Sequence, residues 1–339
     1  MEALRLTRPG CLDIIECPKP NPQPDEVLLQ IRRIGICGTD IHAFRGQQPF
    51  FTYPRIPGHE LAATVADPGN SRRTEGDWVS VMPYRHCGQC LACRNNRTNC
   101  CSSMRVYGVH ADGGMAEFLS VPKDLLFTAP GLSPKALATL EPLAIGTHAV
   151  RRAALNGGET VVVVGLGPIG IGVAAAALQL GARVIATETS PVRQAWVSDH
   201  LSDVTVVPAS SDDLPSTIKD LTGGDFADAV FEATGSLEAL EGTLSLLGHG
   251  GTIVLVGLQT KPFRFVHPDF HRRETTLMSS RNATAADFTA AARLISDQHF
   301  PIDAYVGAEI PFSEMPESMA EICRPGSDSE VIKYHVVIG

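Results

Sequence analysis

The chain lacks a basic excess: 28 Lys and Arg stand against 37 Asp and Glu, for a formal net charge of −9. No basic run stands out either, so a surface built to grip nucleic acid or an anionic membrane is not expected. Long apolar runs are also missing. The opening residues MEALRLTRPGCLDIIECPKP hold none, and no signal peptide is expected from them. The most apolar stretch, 161–180, is interrupted by four glycines and a proline, which reads as a buried strand and helix rather than a membrane span. Internal repeats and low-complexity segments are absent as well.

What is present is an ordinary globular composition, 44% hydrophobic and 19% charged, which excludes a chain disordered throughout. At 339 residues it exceeds what one core usually serves, so two domains are expected. Five of its nine cysteines crowd between Cys87 and Cys101. In a large chain without a visible signal, that clustering favours metal binding in a reducing cytoplasm over a disulfide framework.

Two textures follow one another along the chain. The first third is β-rich, with runs such as EVLLQIRRIGI and DWVSVM broken by Gly, Pro, Asn and Asp. From Ala136 onward apolar strands alternate with alanine-rich helical stretches: TVVVVG, GPIGIGVAAAALQLGA and RVIATE, then DAVFEAT (228–234), a helix over 236–247, and GTIVLVGL (251–258). Val and Ile runs without polar alternation suit a parallel sheet covered on both faces, and this half is expected to be a doubly wound α/β domain. The C-terminal stretch contributes an amphipathic segment, ADFTAAARLISD, and a last strand, VIKYHVVIG.

Gly165-Leu166-Gly167-Pro168-Ile169-Gly170 follows a strong strand and opens a helix, the context in which a GxGxxG turn binds a dinucleotide. Gly165 makes the turn, Gly167 lets the backbone approach a pyrophosphate, and Gly170 lets helix pack on strand, with the helix N-terminus favouring the anion. Glu188 ends the next strand, about 20 residues on, where a carboxylate bonds the ribose hydroxyls and repels a 2′-phosphate. NAD is therefore expected over NADP, although Arg193 lies close enough in sequence to blunt that preference.

Cys87, Cys90, Cys93 and Cys101 stand in the run HCGQCLACRNNRTNCC. Thiolates at this spacing can converge on one ion as a closed, structural four-cysteine zinc site, with Cys100 an alternative to Cys101 as the fourth ligand. A second constellation is Cys37, Thr39, Asp40 and His42 in GICGTDIH, His59 and Glu60 in GHE, and Glu141 in LEP. Cysteine, histidine and carboxylate make a three-ligand set with a position left open, as catalytic zinc requires. Each of these residues taken singly is ordinary.

In combination, GICGTDIH, GHE, the four-cysteine loop, GVHADGGMAEFLSVP, LEP, VGLGPIG and the closing strand resemble the zinc-dependent medium-chain dehydrogenases, in their polyol and sugar branch. The segments QQPFFTYPRIPGHE, RTNCC and FHRRETTLMSSRNAT bring the likeness closest to bacterial sugar-acid dehydrogenases of the L-galactonate oxidoreductase type. The resemblance implies a GroES-like, β-rich catalytic domain made of residues 1–144 and 283–339, and a Rossmann domain over 145–282. It implies two zinc ions per subunit, one structural and one catalytic. Cys37 and His59 would ligate the catalytic zinc, with Glu60 or Glu141 supplying the carboxylate. Asp40 would orient His59, and Thr39 with His42 would relay a proton to solvent. Arg281, just after the parallel sheet, would meet the substrate, where a guanidinium can grip a carboxylate in two bonds.

The function implied is oxidation of a secondary alcohol on a small polyhydroxylated molecule, a sugar acid such as L-galactonate, by a cytoplasmic homodimer or homotetramer joined through its dinucleotide domains. A polyol or L-threonine dehydrogenase is the neighbouring alternative. A zinc- or NAD(H)-sensing protein without turnover is the alternative of another class, and the Thr39–His42 pair argues against it.

Overall fold

The computed structural model describes residues 1–210, 213–324 and 331–339. It divides into two compact units. One comprises Met1–Glu141, Ala283–Ser296 and Ile302–Gly339; the other comprises Pro142–Asn282 and Asp297–Pro301.

The first unit is built on a seven-stranded sheet whose hydrogen-bonded order is Val306–Pro311, Lys333–Val337, Glu26–Gly35, Glu60–Asp67, Trp78–Val81 and Leu126–Phe127, with Phe118–Pro122 also paired to Glu26–Gly35. A hairpin, Glu2–Arg8 with Cys11–Glu16, stands beside it. Alternation in EVLLQIRRIG sends Val27, Leu29 and Ile31 into the core. Between Ile31 and Arg33 the pairing with Glu60–Asp67 slips by one residue, a bulge. A one-residue slip exchanges the two faces, so Ile34 and its partner Leu61 continue the core while Arg33, Gly35 and Glu60 lie on the other side. The bulge thereby delivers Glu60 to a polar face without breaking the apolar one.

The second unit is a six-stranded parallel sheet in the order Val204–Pro208, Arg183–Glu188, Thr160–Val164, Ala227–Glu232, Leu247–Leu255, Thr276–Ser279. Numbered along the chain this is 3-2-1-4-5-6, the doubly wound dinucleotide fold, whose ligand crevice lies where the order reverses. Val161–Val163 and Val184–Ala186 are fully buried, as strands covered on both faces must be. One expectation needs correcting. The helix over 236–247 is an α-helix only at Leu237–Gly242, tightens to a 3₁₀ turn at Thr243–Leu246, and gives way to strand at Leu247. Gly242 is a poor interior helix residue and Leu247 pairs with Ala227, so sheet pairing overrides the helical pattern. The edge strands Val204–Pro208 and Thr276–Ser279 are too short to stand out by sequence pattern. No described helix is long and apolar enough to cross a membrane.

Candidate active site and metal centres

Within the first unit, Cys37, His59 and Glu60 offer donor atoms that all lie within 4.8 Å of one another. Cys37 precedes the short helix Gly38–Phe44, and His59 with Glu60 opens the strand Glu60–Asp67. Glu60 is fully buried, and its space exists because residue 35 is glycine: a Cβ there would stand 1.9 Å from Glu60 Oε2. His59 Nδ1 is buried without a hydrogen-bond partner. Burial disfavours the charged imidazole, but Cys37, Asp40 and Glu141 outweigh it and hold the His59 pKa well above its ordinary value. A largely buried cluster of cysteine sulfur, imidazole and carboxylate, in which acidic groups surround the His59 ring, fits zinc.

Asp40 ties the two ligand-bearing segments together. Its Oδ2 accepts the Cys37 amide at 2.9 Å and its Oδ1 accepts the Gly58 amide at 3.3 Å. The expected bond to His59 is not formed: Nδ1 stands 3.9 Å from Asp40 Oδ1, beyond hydrogen-bond reach. The carboxylate is committed to backbone donors that shape the loop carrying His59, and it acts on the ring through its charge. Thr39 is half-buried and His42 exposed on the helix Gly38–Phe44, three residues apart and so on one side of it.

Glu141 lies in the helix Pro134–Ala153, buried, with its Oε1 accepting the phenol of Tyr84. Burial pushes its pKa up to about 6, with Glu60 adding and His59 and Tyr84 opposing. It falls outside the group formed by Cys37, His59 and Glu60. Two residues that the sequence did not flag complete the picture. Tyr84 holds Glu141, and Lys333 Nζ reaches Glu60 Oε1 at 2.5 Å. A lone lysine in the apolar strand VIKYHVVIG is a signal that a sequence reading can use; Tyr84 carries none.

Cys87, Cys90, Cys93 and Cys101 form a second group on the same criterion. The Cys90–Cys93 and Cys87–Cys101 sulfur pairs are each 3.5 Å apart, far too long for disulfides. Four 2.3 Å zinc–sulfur bonds in a tetrahedron put sulfurs about 3.8 Å apart, so the geometry suits a closed zinc site. Backbone amides of Cys90, Cys87 and Ser103 point at the Cys87 and Cys101 sulfurs, as thiolates require. Cys101 belongs to the group, while Cys100 is exposed and outside it.

In the second unit, Gly165 has φ +93°, and a Cβ on Gly170 would lie 1.9 Å from the Gly165 carbonyl oxygen. Both positions therefore demand glycine. A Cβ on Gly167 would meet open space, the side of the turn on which a phosphate can approach. Pro168 and Ile169 begin the helix Pro168–Gln179. A cavity of about 520 Å³ opens beside the turn, lined among others by Gly165, Thr187, Glu188, Thr234, Ser236 and Glu238. Glu188 is more constrained than expected. Its Oε2 accepts the Leu166 amide at 2.7 Å, its Oε1 accepts those of Thr189 and Ser190, and Arg193 Nη1 stands 3.7 Å away. Burial alone would raise its pKa, but the Ser190 and Leu166 amides and the Arg193 guanidinium outweigh it and hold the carboxyl below its ordinary value. The group is an anion that shapes the glycine turn and still faces the cavity.

Arg281 is exposed at the boundary of the second unit. Of the three phenylalanines near GHE, Phe44 and Phe51 belong to the first unit's core, and only Phe50 is exposed.

These features agree with what the chain is similar to. Residues 23–131 match the alcohol dehydrogenase GroES-like domain, and residues 168–297 match the zinc-binding dehydrogenase domain. The L-galactonate-5-dehydrogenase of Escherichia coli K12 is 44% identical over 88% of each chain. The 2-dehydro-3-deoxy-L-galactonate 5-dehydrogenase of Pseudoalteromonas atlantica is 32% identical over 89% of each. A Sinorhizobium meliloti structure described as a zinc-binding dehydrogenase bound to NADP superposes with a TM-score of 0.90, at 28% identity over 99% of both chains. The chain belongs to the zinc-dependent medium-chain dehydrogenase family.

Proposed function

We propose that this chain is an NAD-linked, zinc-dependent dehydrogenase that oxidises a secondary hydroxyl of a sugar acid of the L-galactonate class. The observation that carries the reading is the convergence of half-buried Cys37 with buried His59 and Glu60, in a chain 44% identical to an L-galactonate-5-dehydrogenase. Cys37, His59 and Glu60 would hold the catalytic zinc, and Cys87, Cys90, Cys93 and Cys101 the structural one. Zinc, when bound, supplies a Lewis acid that lowers the pKa of a hydroxyl oxygen, and NAD supplies the two-electron acceptor. The chain does the rest. Asp40 sets the spacing of the ligand loops. The Thr39 hydroxyl would accept the substrate proton while giving up its own, and the exposed His42 imidazole would pass it to water. Gly165, Gly167 and Gly170 leave room for the pyrophosphate, the helix N-terminus that opens at Pro168 faces it with Ile169 the first helical residue to offer an amide N–H, and Glu188 bonds the ribose while Arg193 steadies the carboxylate. Arg281 would pair with the substrate carboxylate.

A second copy of the chain would join along the strand Thr276–Ser279, one of the two edges of the parallel sheet. Leu277 of that strand shares a small groove with Phe263 and Phe265, and Leu258, Phe265 and Val266 nearby are each more than half exposed. Such pairing would give a homodimer, or a homotetramer made of two. All nine cysteines are free, which fits a reducing cytoplasm.

The test is an NADH absorbance assay of the zinc-replete protein with aldonates, the matching neutral polyols and L-threonine. Turnover on L-galactonate with little on the polyol is the expected result. Turnover on polyols alone would remove the sugar-acid assignment, and silence on every substrate despite NADH binding would favour a sensor.

A further inference from the structure

Two buried carboxylates stand near the Cys37–His59 pair, yet only one joins the donor group. Glu60 does so, within 4.8 Å of both partners. Glu141 is close enough for its charge to act on His59 and on Glu60, and still lies outside the group. What holds it is visible. Tyr84, only 5% exposed on the short strand Tyr84–Arg85, donates its hydroxyl to Glu141 Oε1. A phenol, whose ordinary pKa is about 10, keeps its proton at neutral pH and serves as a donor.

We propose that Tyr84 is a positioning residue that keeps the Glu141 carboxylate off the catalytic metal, leaving Glu60 as the carboxylate donor and Glu141 as a tethered reserve ligand. The proposal rests on the zinc reading above. Its physical basis is competition for one anion. A carboxylate freed into a buried cation site has no better partner than the cation, whereas one that accepts a phenol hydrogen bond is already satisfied. Loss of a partner that holds a metal ligand in place commonly weakens metal binding by about 10- to 100-fold; Tyr84 holds a carboxylate away from the metal, so its loss should act with the opposite sign.

The experiment reads the metal rather than turnover. Cobalt(II) is titrated into protein whose four-cysteine site retains zinc, and the visible spectrum and dissociation constant are recorded, with Cys37→Ala as the blank. Glu141→Gln should give the wild-type spectrum, because Glu141 is not a ligand. Tyr84→Phe should weaken the visible bands, as an added ligand does, and tighten cobalt binding by about tenfold or more. Both effects should vanish when Tyr84→Phe is made in the Glu141→Gln background. An altered spectrum in Glu141→Gln alone, or a Tyr84→Phe effect that is absent or is the same in both backgrounds, overturns the proposal. The underlying zinc reading fails differently: wild type would then bind no more cobalt than Cys37→Ala, and the proposal would go with it. Even if Tyr84→Phe folds poorly, the Glu141→Gln arm can still overturn the proposal, since an altered spectrum there would make Glu141 a ligand.

Discussion

Lys333 Nζ lies 2.5 Å from both carboxylate oxygens of Glu60, and the two side chains are almost completely buried. The contact joins the strand Lys333–Val337 to the first residue of the strand Glu60–Asp67 across Glu26–Gly35, where Gly35 leaves the gap that the carboxylate fills. Burial alone would lower the Lys333 pKa, but Glu60 and Cys37 raise it above the ordinary lysine value. His335, two residues along the strand, is buried with neither ring nitrogen hydrogen-bonded. Burial and the Lys333 charge hold its pKa well below the usual range, so it is neutral. Lys333 rather than His335 is therefore the charged partner of Glu60, and it restrains one donor of the metal group.

Replacing Lys333 with Met should leave Glu60 as an unpaired buried charge and cost about 3–5 kcal/mol in urea unfolding of the metal-free protein. Adding Glu60→Gln to that variant should recover much of the loss, because the uncompensated charge goes with it. The sign of the pH dependence also follows. A lysine whose folded pKa is raised contributes stability that is complete below its unfolded pKa and is lost only as pH rises through the folded one. The Lys333 contribution should therefore be flat across neutrality and decline above roughly pH 10. A decline centred near neutrality would refute this account of the pair.

The two metal groups should separate under mutation. Wild type is expected to bind two zinc ions, one at each group. Cys93→Ser should lose one and lower the melting temperature sharply, because a four-cysteine site ties its loop together. Cys37→Ala should lose the other and all turnover while keeping its fold. Metal analysis beside thermal unfolding reads both, and a Cys37→Ala protein with full activity would end the zinc mechanism.

Much of this was legible in the sequence because it was local. The glycine turn, the valine-rich strands and the four-cysteine loop are each written within a short window, and spacing alone implies their geometry. The catalytic group was legible only through family likeness, because Cys37, His59 and Glu60 meet through strand pairing rather than spacing. Lys333 was more distant still, 273 residues from Glu60, and Tyr84 is 57 residues from Glu141. Asp40 shows the limit in the other direction. Its presence beside the ligands was readable, but not that its oxygens are taken by the Cys37 and Gly58 amides. Such choices depend on loop geometry at the scale of one ångström.

Glu188 should govern both cofactor choice and acid stability. Glu188→Gln removes the charge that opposes a 2′-phosphate, and the ratio of kcat/KM for NADP over NAD should rise by about tenfold, equivalent to ~1.4 kcal/mol. Because its folded pKa is depressed, its stabilising effect is present above the unfolded pKa and is lost as pH falls through the folded one. Wild type should therefore lose stability more steeply than Glu188→Gln below about pH 4.5. Unfolding curves across that range give the comparison, and parallel curves would count against a charged Glu188 in the native state.

The open edge Thr276–Ser279 gives the last prediction. An exposed strand edge beside exposed Phe265 and Val266 is a liability in a monomer and an asset in a two-fold dimer, where the same patch meets itself. Phe265→Asp places a charge in that patch without touching the core, since Phe265 is 51% exposed. Light scattering after gel filtration should then show a smaller particle than wild type, with the melting temperature falling as protein is diluted. The cobalt spectrum should stay unchanged, because the metal group is built entirely within the first unit. If Phe265→Asp leaves the particle size of wild type intact, the subunits associate through some other surface.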